Sequence, residues 1–137
     1  ILKRAIALHR ENTKPEDVLD VLSTFGGFEI VMMCGAMLQA AELKMVLLVD
    51  GFIATTAFLA AYHIGPAVKD YAFFCHQSDE RGHARVLQFL EVRPILNLSM
   101  RLGEGTGAAV AYPILISAVN FLNGMASFAS AGVSNRS

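Results

Sequence analysis

Apolar and polar positions fall along the chain in blocks that predict helices interleaved with short buried strands. Residues 1–11 place Leu2, Ile6 and His9 near one helical face and end at the polar break Asn12-Thr13-Lys14. Pro15 suits the first turn of a second helix, with Glu16 and Asp17 at its positive end and Gly26-Gly27 closing it. Residues 28–43 predict a third helix, because Ile30, Met33, Cys34, Met37 and Leu38 recur at helical spacing. Gly35, Ala36, Ala40 and Ala41 keep another face thin enough for close packing. The methionines read as core filler rather than as a flexible binding groove.

The continuous run Met45-Val46-Leu47-Leu48-Val49, ending in Asp50-Gly51, has the form of a buried parallel strand. A helix over 52–62 follows, stopped by Gly65-Pro66, then a short helix over 67–71. Ala72-Phe73-Phe74-Cys75 repeats the strand pattern and runs into His76-Gln77-Ser78-Asp79. A helix over about 80–91 points Val86, Phe89 and Leu90 inward, and a third strand over 94–98 leads to Arg101-Leu102-Gly103-Glu104-Gly105-Thr106-Gly107 and a long apolar helix. Strands alternating with helices imply right-handed crossovers and a parallel sheet. The expected fold is therefore α/β, Rossmann-like and three-layered, a single domain over 1–137 whose three parallel strands belong to a larger sheet.

Composition narrows the picture. The 137 residues suffice for one core, and 54% are hydrophobic against 17% charged. A net charge of −1 without a basic run argues against nucleic acid as a partner. Cys34 and Cys75 lie in apolar segments without CxxC spacing, which suggests buried thiols in a reducing, cytoplasmic setting; no leader peptide pattern is visible. The chain opens at Ile1 already inside a helical pattern, as expected of the C-terminal fragment of a longer protein. Residues 105–135 carry no charge and exceed a bilayer span in length. Gly107, Pro113, Ser117, Asn120 and Asn123 interrupt them and no Lys/Arg asymmetry flanks them, so the expectation is a buried helix or a subunit interface, not a membrane span.

Each strand ends in polar or glycine residues able to share one crevice: Asp50-Gly51, His76-Gln77-Ser78 and Gly103-Glu104-Gly105. Glycine permits positive φ and close approach of a ligand, and a carboxylate at the centre of such a turn suits acid–base work on a neutral or cationic ring better than phosphate binding. The plainer reading is that Glu104 caps the next helix. Asp50 is equally open between a ligand contact and a cap on the helix that follows it. Cys75, His76, Asp79 and His83 match no zinc spacing, so no metal is expected. His83 reads as a surface or interface residue and His63 as a charge–dipole contact at a helix end. Neither a GxSxG elbow nor a dinucleotide GxGxxG is present.

Four segments in order carry a resemblance: Gly26-Gly27-Phe28-Glu29-Ile30, Val49-Asp50-Gly51-Phe52-Ile53-Ala54, His76-Gln77-Ser78 with Gly82, and Arg101-Leu102-Gly103-Glu104-Gly105-Thr106-Gly107-Ala108. Their order and spacing resemble the nicotinate-nucleotide:dimethylbenzimidazole phosphoribosyltransferase family of cobalamin biosynthesis. The likeness covers essentially the whole chain but only the C-terminal two-fifths or so of such an enzyme. It implies transfer of the ribose phosphate of nicotinate mononucleotide to 5,6-dimethylbenzimidazole, giving α-ribazole phosphate and nicotinate. It further implies that Glu104 is the general base, that Asp50, Gly51 and Ser78 line the ribose phosphate side, that Leu102 and Gly103 contact the aromatic base, and that Gly105 also binds substrate. No metal or organic cofactor is implied, and a homodimer is. The competing reading is a non-catalytic nucleotide-binding or dimerisation module on the same fold.

Overall fold

The computed structural model describes residues 1–100 and 104–133, so the proposed base contacts Leu102 and Gly103 lie outside the described residues. Helix α1 (Leu2–His9) precedes α2 (Val18–Phe25), which begins later than Pro15 suggests. The reason is local: Asp17, not Pro15, supplies the cap, its carboxylate accepting the N–H groups of Leu19 at 3.0 Å and Asp20 at 3.3 Å. Helix α3 (Phe28–Glu42) follows the Gly26-Gly27 break and leads into strand β1 (Leu47–Asp50).

Helix α4 (Gly51–Ile64) and a 3-10 turn (Pro66–Tyr71) carry the chain back to strand β2 (Ala72–His76), parallel to β1. Leu47 pairs with Ala72, Leu48 with Phe73 and Val49 with Phe74. An irregularity between Val49 and Asp50 then sets Asp50 opposite His76. Helix α5 (Arg81–Phe89) follows, and α6 (Thr106–Gly124) closes the fold.

The third predicted strand is reduced to a single parallel bridge, His76 with Leu96. Successive N–H groups of a regular strand point to opposite edges, yet Ile95 and Leu96 both donate to β2, at 2.8 Å to the Phe74 carbonyl and 3.0 Å to that of Cys75. Pro94 has no N–H to offer, and Ser99 at φ 51° turns the chain away. Among the described residues the sheet thus has two strands and a bridged segment beside β2.

The core lies where α3, α4 and α5 meet this sheet. Phe58 is fully buried and meets Phe74 edge-to-face, centroids 5.0 Å apart, with Val49, Val68, Leu87 and Leu90 around them. Helix α5 turns Leu87 and Leu90 inward, but Phe89, expected inward, is exposed and stacks on His63. Of the two expectations for α6, burial within this chain is not met. Only Gly107 and Ala111 of it are buried, and Tyr112, Ile114, Ile116, Phe121 and Leu122 face outward. By length and composition alone α6 could cross a membrane. Its first turn, however, is tied into the sheet.

Candidate active site

That tie is made by Asp50 at the carboxyl end of β1. Asp50 occupies the cap position of α4 but makes no side-chain bond to it. Its Oδ2 instead accepts the N–H of Gly107 at 2.9 Å, so it caps α6 across 57 residues. The approach requires glycine: a Cβ on Gly107 would sit 2.8 Å from the Cβ of His76 and collide with Asp50 Oδ1. The question left open for Asp50 is answered in part, because the helix it caps is the one that carries the Glu104 turn.

Glu104 is exposed, three positions before Gly107, and the Asp50 link holds its turn at the ends of β1 and β2. Positive φ at Gly105 (78°) is what the glycine pattern predicts. Glu104 itself also adopts φ 67°, a left-handed conformation costing a non-glycine residue roughly 1–2 kcal/mol. Lys44, Glu91 and Ser99 share this backbone region, so the conformation marks a tight turn and not, by itself, a function.

Gly51 and Ser78 are joined through His83. This histidine, expected at the surface, is 1% exposed. Its Nδ1 accepts the backbone N–H of Ser78 at 3.1 Å and also lies 2.9 Å from Ser78 Oγ. Because a backbone N–H can only donate, Nδ1 is unprotonated and the ring proton sits on Nε2, 3.0 Å from Thr55 Oγ1. Thr55 is fully buried, and its hydroxyl donates to the Gly51 carbonyl at 2.8 Å. Burial, and secondarily the neighbouring His76, lowers the His83 pKa, with Asp50 partly opposing. The ring is therefore neutral at physiological pH.

Neither Thr55 nor His83 stood out in the sequence as a site residue. The available signal was spacing, since His83 falls on one helical face with Val86, Leu87 and Leu90. His76, buried beside them, accepts the Leu98 N–H on Nε2 at 3.2 Å and so anchors the chain leading toward residue 101.

Burial, then the charge of Asp50, pushes the Cys75 thiol up to about 11, which rules it out as a nucleophile near neutral pH. Among the described residues no group of three or more His, Cys, Asp or Glu is placed to hold a metal. A cleft of about 420 Å³ lies away from the strand ends, among α2, α3 and α4, lined largely by apolar side chains such as Val18, Leu22, Phe25 and Leu59. Glu16, Thr56 and His63 are its polar lining, and none of the residues expected at the site borders it.

Residues 1–133 match a family model described as phosphoribosyltransferase. The chain belongs to this phosphoribosyltransferase family. A nicotinate-nucleotide–dimethylbenzimidazole phosphoribosyltransferase of Shewanella baltica strain OS155 is 56% identical over 134 residues, covering 97% of this chain and 36% of the relative. The protein of that name from Cupriavidus necator is 56% identical over 137 residues, all of this chain and 39% of its own. The crystal structure of the Thermus thermophilus protein of that name superposes with a TM-score of 0.86 at 39% identity, covering 98% of this chain and 39% of that one. The chain thus spans less than two-fifths of the length of these relatives. What it contributes to the family's architecture is a mixed α/β unit with parallel strands and the Glu104 turn at their ends.

Proposed function

We propose that the full-length protein containing this chain transfers the ribose phosphate of nicotinate mononucleotide to 5,6-dimethylbenzimidazole, releasing nicotinate and α-ribazole phosphate. The observation that carries this reading is the coincidence of family membership with an exposed glutamate whose turn the Asp50–Gly107 bond holds at the mouths of two parallel strands.

In the proposed reaction one benzimidazole nitrogen attacks the anomeric carbon as the bond to nicotinate breaks. Glu104 takes the proton from the other ring nitrogen. A β-nucleotide giving an α-product requires inversion, so the base enters opposite the leaving group. A carboxylate on that side both accepts the proton and stabilises positive charge developing at the ribose, and general-base help of this kind gives ~10² to 10⁴ in rate.

Asp50 does not contact phosphate in this scheme; it orients the α6 turn, while Gly51 and Ser78 present donors on the ribose phosphate side. Leu102 and Gly103 are the residues assigned to contact the aromatic base, and Gly105 is assigned to substrate binding. No metal or organic cofactor takes part. The strands form part of a larger, three-layered Rossmann-like sheet completed by the remainder of the protein. The outward apolar side chains of α6 are compatible with a homodimer interface, and the unpaired Cys34 and Cys75 support a cytoplasmic setting.

Incubating the full-length protein with nicotinate mononucleotide and dimethylbenzimidazole tests the reading. Nicotinate and α-ribazole phosphate should form in equal amounts, and release of neither would leave only a binding or dimerisation module.

A further inference from the structure

The two strand mouths are connected by a hydrogen-bond chain that the proposed reaction does not use. It runs from the Ser78 N–H to His83 Nδ1, from His83 Nε2–H to Thr55 Oγ1, and from the Thr55 hydroxyl to the Gly51 carbonyl. Every link has a defined direction, because the first donor is a backbone amide and the last acceptor a carbonyl. The chain crosses from the loop after β2 to the corner after β1, and its two middle members are buried. Such a chain is most costly to interrupt in the middle, where a lost partner leaves another polar group buried and unpaired.

We propose that His83 is a positioning residue: neutral and protonated on Nε2, it locks the Ser78 loop to the Gly51 corner and so sets the ribose phosphate side of the crevice. This rests on the reading that Gly51 and Ser78 line that side. The unprotonated Nδ1 accepts from both the Ser78 N–H at 3.1 Å and the Ser78 hydroxyl at 2.9 Å, so a ligand oxygen can take over the hydroxyl proton while the N–H keeps the loop in place. A ring protonated at Nδ1 would instead confront the Ser78 N–H with a second donor. The lock is therefore specific to one tautomer of one charge state.

Two isosteres separate the halves of the lock. Asparagine places an amide near the Nδ1 position and can accept from the Ser78 N–H; glutamine reaches the Nε2 position and can donate to Thr55. Because the lock needs both links, His83→Gln and His83→Asn in the full-length protein should each raise KM for nicotinate mononucleotide roughly tenfold while leaving kcat within about threefold. Thr55→Val should raise KM similarly, and Thr55→Ser should restore it.

A KM within about threefold of the parent in either His83 variant or in Thr55→Val, or a loss confined to kcat, would overturn the proposal. Should the His83 variants not fold, nitrogen-15 spectra of histidine-labelled parent protein decide the matter. Neutral His83 with its proton on Nε2 at pH 7 is expected, and the Nδ1–H tautomer or an imidazolium contradicts the lock. A parent protein that releases no nicotinate would count against the activity alone, since the tautomer still judges the lock.

Discussion

The carboxylate of Asp50 and the backbone N–H of Gly107 meet at 2.9 Å although 57 residues separate them in the chain. This contact converts a strand end and a helix start into one structural corner, and it is the reason the Glu104 turn lies at the sheet rather than elsewhere on the surface. Capping a helix with a half-buried carboxylate also uses the positive end of the helix dipole, a charge-assisted bond stronger than a neutral one.

Gly107→Ala should break this corner. The added Cβ meets Asp50 and His76 side chains rather than open space, so overpacking should cost about 1–3 kcal/mol. Urea unfolding of the full-length protein measures it, and an unchanged midpoint would show that the corner relaxes freely.

Asp50→Ala should cost about 0.5–2 kcal/mol through loss of the cap, and Asp50→Asn less, because the amide oxygen still accepts from Gly107. The Asn variant should also lower the pKa of Cys75 by removing the nearby negative charge. The pH dependence of thiol alkylation in the two proteins checks the second effect.

Glu104→Gly should stabilise the protein by about 0.5–1 kcal/mol, since glycine adopts φ 67° without the penalty glutamate bears. It should at the same time remove the activity. Thermal unfolding and turnover measured on the same sample would display the opposition, and a destabilised variant would mean the turn is not strained.

His83 makes stability fall in mild acid. Its native pKa is depressed below the ordinary 6.5 by burial and by His76, against the partial opposition of Asp50. Between the unfolded value and that lower native value, the unfolded chain binds the proton and the native one does not, so stability is lost as pH falls through and below about 6.5. Unfolding midpoints of parent and His83→Asn protein at pH 7.5 and 5.5 isolate the effect: the parent should lose more stability on acidification.

The blocks of apolar spacing made α3, β1, β2 and the helix after Glu104 legible in the sequence, as did the breaks at Gly26-Gly27 and Gly65-Pro66. What was not legible involves partners distant in the chain. Nothing near Asp50 distinguishes capping α4 from capping α6, because the deciding contact belongs to Gly107. The polarity of His83 masked a position that its spacing from Leu87 and Leu90 marks as inward. The strand expected over 94–98 failed because apolar content does not specify the direction of the Ile95 and Leu96 N–H groups. For α6, the same composition serves a helix covered by its own chain and one left for another surface.

In the proposed reaction Glu104 accepts a proton during glycosyl transfer. The most direct test of this step is the initial rate of nicotinate release by full-length Glu104→Gln protein, with nicotinate mononucleotide and dimethylbenzimidazole both saturating. General-base catalysis by Glu104 predicts a fall of at least about 10²-fold with KM little changed, glutamine preserving shape but not basicity. Turnover within a fewfold of the parent would contradict it.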